Sequence, residues 1–490
     1  MIAAGQVYGR RRLDLLARPV IGRFLHWRHA RTALQVPLLV VAGLVVFDGL
    51  FGPQLAPKNL ATVGVWLHYR GLVVLALLAA GNLFCMACPF MLPRRFGRWL
   101  RERWLAGGRP TPALLRSKWP AVVLLVVFFY SYEYFALWAS PWLTAWIAVG
   151  YFVAAFVVDT LFRGATFCKR ICPLGQFNFL GSLVSPLEIA VRRPETCAAC
   201  RTRDCIQTRA ATRARGCELA LFQPRKVGNM DCTFCLDCVH ACPHDNIGLI
   251  GRLPTAELWS DPYRSGIGRF SQRRDLAALV VVLTFGAFVN ALAMIRPIYE
   301  LQGWLPGFAA RAPWLGLVFL IGLGVLPVTL LSAAGFVSRG LGGETGVTVW
   351  ASVRRYLLAL APLAFGMWLA HYAFHFLTGA LTITPVVQSF LADLGVSGVQ
   401  PYWGWGPLVP ADWLFPIEAF FLYLGAFGSA VAVFQIARRH IGEGNLEARR
   451  RVLGAALPWL ALCLLLLAAG LWIMTQPMEM RGTFVLSSVH

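Results

Sequence analysis

Eight of the thirteen cysteines in this sequence lie within residues 195–243, at spacings typical of metal-cluster ligands. The second half of this segment reads Cys232-x2-Cys235-x2-Cys238-x3-Cys242, followed by proline. Three thiolates on one tight loop can bind three corners of an iron–sulfur cubane, and this run is a bacterial ligand pattern for [4Fe–4S] clusters. The spacing therefore predicts one-electron redox chemistry.

A looser set of cysteines precedes this run and completes the ligands of two clusters. In two-cluster ferredoxins the fourth cysteine of one motif binds the other cluster. Zinc sites and disulfides are the alternatives, although zinc sites rarely have three cysteines at two-residue spacing before Cys-Pro. When the fourth cysteine of each motif binds the cluster of the other motif, a crossed pattern, two sets of ligands result. They are Cys197, Cys200, Cys205 and Cys242 for cluster 1, and Cys232, Cys235, Cys238 and Cys217 for cluster 2.

Four further cysteines form two Cys-Pro motifs, Cys85-x2-Cys88-Pro and Cys168-x3-Cys172-Pro. Each motif follows a predicted membrane helix that runs in the same direction, so we expect both pairs to reach the same membrane face. Four thiolates could hold a third Fe–S cluster or another soft metal. The cysteines could instead act as redox dithiols, or simply pack where proline ends each helix.

The composition excludes a soluble globular protein. The chain has 490 residues, of which 58% are hydrophobic and 14% charged, and its mean hydropathy is +0.61. A net charge of +22 could indicate nucleic-acid binding. In a membrane protein it is better explained by the accumulation of Lys and Arg in cytoplasmic loops. We therefore expect a lipid bilayer, and no nucleic acid, as the partner.

The predicted fold class is an α-helical polytopic membrane protein with a small inserted cytoplasmic domain, bacterial-ferredoxin-like and containing two clusters. Apolar stretches near the ~20 residues of a spanning helix predict about nine spans. These are about 33–50, 61–84, 121–139, 143–162, 275–295, 314–336, 357–378, 414–437 and 455–475.

These spans divide the chain into four predicted regions. They are a basic cytoplasmic N-terminus (1–32), a four-helix membrane region (33–173), the ferredoxin-like domain (174–272) and a C-terminal membrane region of about five helices (273–490). The distribution of Lys and Arg places the N-terminus and the ferredoxin-like domain in the cytoplasm. Residues 93–118 are predicted to be a basic inner loop, and residues 380–412 the longest outer loop.

Ionisable residues inside the predicted spans indicate a second site. With a rise of ~1.5 Å per residue, several lie at one depth, roughly 7–12 Å below the outer surface. Burying each costs about 2.5–3.5 kcal/mol, so a functional role is the default interpretation. The residues are His68, Arg70, Glu133, His371, His375 and Glu418.

Three interpretations of this second site remain open. His68 with His371 or His375 could bind a b-type haem between helices. The same histidines could bind quinol and accept its protons, with a glutamate as relay. Alternatively, an Arg70–Glu133 ion pair and similar contacts only fix helix packing. Near the C-terminus, Met478 and Met480 are candidate copper ligands because thioethers bind soft metals.

The arrangement of motifs resembles the NosR/NapH/CcoG-type membrane-bound polyferredoxins. The resemblance covers roughly residues 60–250 and rests on two membrane hairpins ending in Cys-Pro motifs, Cys85/Cys88 and Cys168/Cys172, before the two-cluster segment. The first pair is one residue tighter than the family's usual Cys-x3-Cys-Pro. The resemblance implies a bacterial inner-membrane electron-transfer protein, serving a periplasmic reductase or copper handling during oxidase assembly.

The expected function is electron transfer between a membrane quinol or haem b site and cytoplasmic [4Fe–4S] clusters. Such a protein would support a respiratory or periplasmic reductase chain as a component rather than as a stand-alone enzyme. Its expected partners are quinol and a redox protein: a reductase, a ferredoxin or a cytochrome. The alternatives are a copper-reducing, metal-handling assembly factor for a respiratory oxidase or reductase, and a membrane redox sensor.

Overall fold

The computed structural model describes residues 13–104, 108–207, 215–303, 307–442 and 444–478, which are mostly helical. Nine apolar helices account for almost half of this part of the chain, and we label them α1–α9 in chain order. They are α1 (Ala30–Phe51), α2 (Leu60–Ala80), α3 (Trp119–Tyr134), α4 (Pro141–Leu161), α5 (Arg274–Leu292), α6 (Ala312–Leu341), α7 (Ala361–Gly379), α8 (Leu414–Ile441) and α9 (Leu446–Thr475).

Eight apolar helical segments in the described residues are long enough to cross a membrane. One of them, Val349–Asp393, contains α7 together with the helices on either side of it. The chain is therefore a multi-pass membrane protein, and the polytopic helical class is confirmed. The remaining predicted span, 121–139, corresponds to α3, which has only 16 residues. It ends early because Ala136 adopts a left-handed conformation with φ of 45°.

Shorter elements connect the apolar helices. The two strands, β1 (Leu187–Val191) and β2 (Ile247–Gly251), form an antiparallel pair in which Leu187 faces Gly251. In sequence they flank the segment that contains eight cysteines. The short α-helices are Pro19–His26, Leu83–Ala87, Met91–Trp104, Ala113–Arg116, Pro173–Gly181, Pro194–Ala199, Asp237–Ala241, Arg296–Gly303, Val349–Tyr356 and Ile383–Asp393.

Two segments predicted to be loops contain helices, so these predictions were wrong. In the inner segment, helix Met91–Trp104 buries Arg94 and Arg101, which share a face of the helix at a spacing of seven residues. In the outer segment, helix Ile383–Asp393 buries Val386 and Phe390, four residues apart. In both cases the spacing of buried positions follows the helical period.

The described residues form two compact units, each assembled from three stretches of sequence. The first draws on Met1–Val40, Ala76–Ala121 and Tyr151–Leu276. It contains every cysteine except Cys463, and the predicted boundary at 173/174 falls inside it. The second unit draws on three other stretches: Val41–Leu75, Val122–Gly150 and Ala277–His490.

In the second unit α7 and α8 run antiparallel and pack through glycines. A Cβ atom added to Gly366 would lie 2.6 Å from the carbonyl oxygen of Phe421. One added to Gly425 would lie 2.6 Å from the carbonyl oxygen of Pro362. Small residues at such positions let helix backbones approach closely in membranes.

Replacing Gly425 with valine should therefore lower the stability of the second unit. The added side chain overlaps the backbone of α7, and overpacking of this kind typically costs about 1–3 kcal/mol. Thermal unfolding in detergent measures the effect as a lower midpoint. Gly43→Val in α1 is the matched control, because a Cβ atom there meets nothing within 4 Å. Equal loss of stability in both variants would contradict the prediction.

Candidate metal centres

The four cysteines of the Cys-Pro motifs line one cavity in the first unit. Cys85 lies on helix Leu83–Ala87, and Cys88 ends that helix. Cys168 lies in the π-helical turn Phe167–Ile171, and Cys172 caps the helix that follows. The structure thus brings together two motifs that are about 80 residues apart in the sequence.

Each of these four thiols has a hydrogen-bond donor beside it. The Asn178 amide donates to Cys85 Sγ at 2.8 Å, and the Arg94 guanidinium donates to Cys168 Sγ at 3.1 Å. The backbone N–H of Gly175 donates to Cys172 Sγ at 3.3 Å, and the backbone of Phe90 donates to Cys88. Hydrogen bonds to sulfur tune the reduction potentials of Fe–S centres, so this donor set suits thiolate ligands.

Burial raises the pKa of Cys85, Cys168 and Cys172 to about 12. For Cys88 burial is again the main cause, and the neighbouring thiols raise its pKa further. This direction is opposite to the lowered pKa of a reactive dithiol. Coordination to a metal deprotonates such thiols outright.

The second set, Cys217, Cys232, Cys235 and Cys238, lies in the interior of the first unit. Cys232, Cys235 and Cys238 are buried, and Cys217 packs against the same core. Burial raises the pKa of Cys238, and the neighbouring Cys217 and Cys232 raise it further. The loop carrying these cysteines turns through left-handed backbone at Phe234, which is itself fully buried.

The first set, Cys197, Cys200, Cys205 and Cys242, lines a separate cavity. All four thiols are partly exposed. Asn246 holds two of them: its side chain donates to Cys197 Sγ at 3.3 Å, and its backbone N–H donates to Cys242 Sγ at 3.4 Å. The four cysteines that the crossed pattern assigns to cluster 1 therefore line one cavity.

Within the described residues, no three or more His, Cys, Asp or Glu side chains are arranged to hold one metal ion. A single tetrahedral zinc needs every thiolate about 2.3 Å from the same atom. A [4Fe–4S] cluster instead takes one thiolate at each of four irons, and each of the three sets has four thiols.

Two contacts connect the Cys-Pro cavity with the second cysteine set. Cys232 itself lines the cavity, and the Asn82 amide donates to the Cys232 carbonyl at 2.5 Å. The neighbouring Asp231 carboxylate forms ion pairs with Lys118 Nζ at 3.1 Å and with Lys169 Nζ at 3.3 Å. The two candidate centres are therefore neighbours inside the first unit.

A network of buried charged side chains also connects the Cys-Pro set with the second set. Arg94 forms an ion pair with Asp159, and its guanidinium lies 3.7 Å from Glu218. Arg98 contacts the other oxygen of Glu218 at 2.8 Å. Burial alone would raise the pKa of Glu218, but Arg94, Arg98 and Arg31 lower it to about 2. Glu218 follows Cys217 directly, so one charge network touches both the Cys-Pro set and the second set.

Sequence reasoning missed the polar residues around these thiols. Arg94 was included only as one of the basic residues of an inner loop, whereas it is 3% exposed and contacts a cysteine. The spacing of Arg94, Arg98 and Arg101 at four and three residues was the available signal, because it places them on one helix face. No sequence pattern marks Asn178 or Asn246.

In the second unit, His371 and His375 lie together on α7. Their rings are 5.0 Å apart in an edge-to-face arrangement, and His375 Nε2 lies 3.3 Å from Met294 Sδ. The antiparallel register of α7 and α8 places Glu418 at the level of His371. Both histidines and Glu418 are buried.

His68 is held differently. Its Nδ1 lies 3.0 Å from the Val63 carbonyl, its Nε2 lies 2.8 Å from the Ala380 carbonyl, and its ring packs on Phe376. Both nitrogens therefore contact backbone rather than the His371–His375 pair.

The remaining predicted residues are placed as follows. Arg70 donates to the Tyr132 hydroxyl at 3.2 Å and lies 4.7 Å from the Tyr372 ring centroid. Met478 forms an isolated β-bridge with Ile295. Met480 lies outside the described residues.

Comparisons of the chain with protein-family models, with curated proteins and with solved structures find no match. Function is therefore inferred from the geometry of the three cysteine sets.

Proposed function

We propose that this chain is a membrane-bound iron–sulfur electron-transfer protein. One observation carries the proposal: twelve of the thirteen cysteines lie in one compact unit, where the Cys-Pro set and the first set each line a cavity and three thiols of the second set are buried. The first set (Cys197, Cys200, Cys205 and Cys242) and the second (Cys217, Cys232, Cys235 and Cys238) would each hold a [4Fe–4S] cluster. The third set, from the Cys-Pro motifs, would hold a third cluster.

Bound clusters would supply one-electron redox chemistry at each set. The residues of this chain would hold the clusters, orient their ligands and exclude water. Asn246, Asn178, Gly175 and Arg94 donate hydrogen bonds to ligand sulfurs. The burial of the second set keeps water from its thiolates. The partly exposed first set would be the end at which electrons are exchanged with the aqueous phase.

The membrane part would connect these centres to quinol or to a haem b near His68, His371 and His375. The burial of the two α7 histidines supports a site there, because ionisable groups inside membranes are usually functional. The distribution of Lys and Arg supports placing the N-terminus and the ferredoxin-like domain in the cytoplasm, and the resemblance of the motifs supports a bacterial inner membrane. The Cys-Pro hairpins support a place among the NosR/NapH/CcoG-type polyferredoxins, in a respiratory or periplasmic reductase chain.

The test is the metal content of the protein purified without oxygen. We expect about twelve irons and twelve acid-labile sulfides per chain, four for each cubane. A Cys463→Ser variant is the control, because this cysteine lies on α9 in the second unit and belongs to none of the sets. About eight irons would contradict a third cluster, and a protein without iron would contradict the whole proposal. Haem and copper measured on the same sample separate the alternatives for the second unit.

A further inference from the structure

The first cysteine set opens to the surface of its unit. Its four thiols are partly exposed, whereas three of the four thiols in the second set are buried. The cavity they line is also bordered by Arg203 and His244, which are both exposed. A redox centre at this position would be accessible from solution.

The rim of this cavity is strongly basic. Four exposed arginines surround it, and within the described residues none of them forms an ion pair. Two acidic residues of the rim are exposed, and one of these, Asp245, is paired with Arg192 at 2.9 Å. The four arginines are Arg193, Arg201, Arg203 and Arg225; the acidic residues are Glu195 and Asp245.

Each of these arginines lines the cavity, follows a lining residue in the sequence or is hydrogen-bonded to one. Arg203 lines it, and Arg201 follows the lining residue Cys200. Arg225 follows the lining residue Pro224, and Arg193 is linked through its backbone to Asn246 at 2.9 Å. The general enrichment of Lys and Arg on the cytoplasmic side of a membrane explains why the first unit is basic. It does not explain why the excess charge concentrates at the opening of the most accessible thiols.

We propose that this basic rim is the docking surface for an acidic, soluble one-electron carrier protein. The inference rests on the proposed function, because it takes the first cysteine set to hold a redox centre. Complementary charge steers such encounters and fixes the orientation of the partners. Cys197, Cys200, Cys205 and Cys242 would hold the centre, and one electron would pass between it and the carrier, so that one partner is oxidised as the other is reduced. No bond is made or broken.

The test measures binding without electron flow. The probe is an oxidised, acidic plant-type [2Fe–2S] ferredoxin, and the protein is the full chain in nanodiscs of uncharged phosphatidylcholine. The variant is Arg201→Glu, Arg203→Glu and Arg225→Glu combined. We expect at least tenfold weaker binding, equivalent to about 1.4 kcal/mol. We also expect the wild-type affinity, but not that of the variant, to fall steeply with salt.

The matched control reverses three exposed arginines of the second unit, Arg439, Arg449 and Arg450, with the same change in net charge. It should bind the ferredoxin like the wild type. Unchanged binding in the rim variant would overturn the proposal. So would equal weakening in both variants, since that result would indicate attraction by overall charge.

Two further measurements separate the possible failures. If the rim variant loses binding to anionic vesicles but keeps ferredoxin binding, the rim contacts lipid headgroups and the proposal is overturned. Iron and sulfide content is measured on every variant. A rim variant with full iron content and unchanged binding overturns only the docking surface, whereas a wild type without iron overturns the proposed function itself.

Discussion

Replacing Cys168 and Cys172 together with serine is expected to lower the iron content from about twelve to about eight per chain, with an equal loss of sulfide. These two thiols are half of the Cys-Pro set, which lines one cavity of the first unit. Serine is a poor substitute because a cluster needs soft thiolate ligands. The remaining Cys85 and Cys88 would offer only two ligands.

The other two clusters should survive this change, because their eight cysteines come from a different part of the sequence. Their EPR signals in the reduced protein should keep the intensity of the wild type. Cys463→Ser, a buried thiol on α9, is the control for general effects of removing a cysteine. Unchanged iron in the double variant would mean that the Cys-Pro motifs hold no cluster. Loss of all iron would mean that this region is needed for folding instead.

The membrane topology was largely predictable because apolar length is a strong signal. An apolar helix corresponds to every predicted span, and eight helical segments in the described residues are long enough to cross; α3, with 16 residues, is not among them. Helix boundaries were less predictable. The second span was expected to run to Phe84, yet α2 ends at Ala80 because Gly81 adopts a left-handed conformation. That change in direction places Cys85 on a separate short helix.

The spacing of the cysteines predicted the members of each set, and the four assigned to cluster 1 line one cavity. The Cys-Pro cysteines required a further step, namely that two helices running the same way end at one face. The polar side chains that surround the thiols could not be predicted. The donor to Cys85 is Asn178, which lies 93 residues away, and the donor to Cys168 is Arg94, which lies 74 residues away. Contacts at such separations depend on packing that no local pattern encodes.

Arg94 is the residue through which charge acts most directly on the Cys-Pro set. Its guanidinium is 3% exposed, donates to Cys168 Sγ, and is paired with the carboxylates of Asp159 and Glu218. Arginine stays charged under all relevant conditions. A fixed positive charge favours the reduced, more negative form of any redox centre held there. Arg94 should therefore raise the reduction potential of the third centre.

Arg94→Gln is accordingly expected to have two effects. Breaking a buried ion pair leaves carboxylates uncompensated and should lower the free energy of unfolding by about 3–5 kcal/mol. The midpoint potential of one cluster should become more negative by about 60 mV or more, a tenfold change in a one-electron equilibrium. Potentiometric EPR titration measures the second effect, and the potential of the first-set cluster should not change.

Arg101→Gln is the matched control for Arg94→Gln. Arg101 lies on the same helix, is 5% exposed and donates to the carbonyl oxygen of Asp159 at 2.6 Å. Its loss should lower the free energy of unfolding and leave the midpoint potentials of all clusters unchanged. Arg94→Lys keeps the positive charge but loses the planar guanidinium. Its midpoint potential should stay close to that of the wild type, whereas its free energy of unfolding should be only partly restored. A shift of equal size in Arg94→Gln and Arg101→Gln would show that the potential follows the packing of this helix, and not the charge beside Cys168.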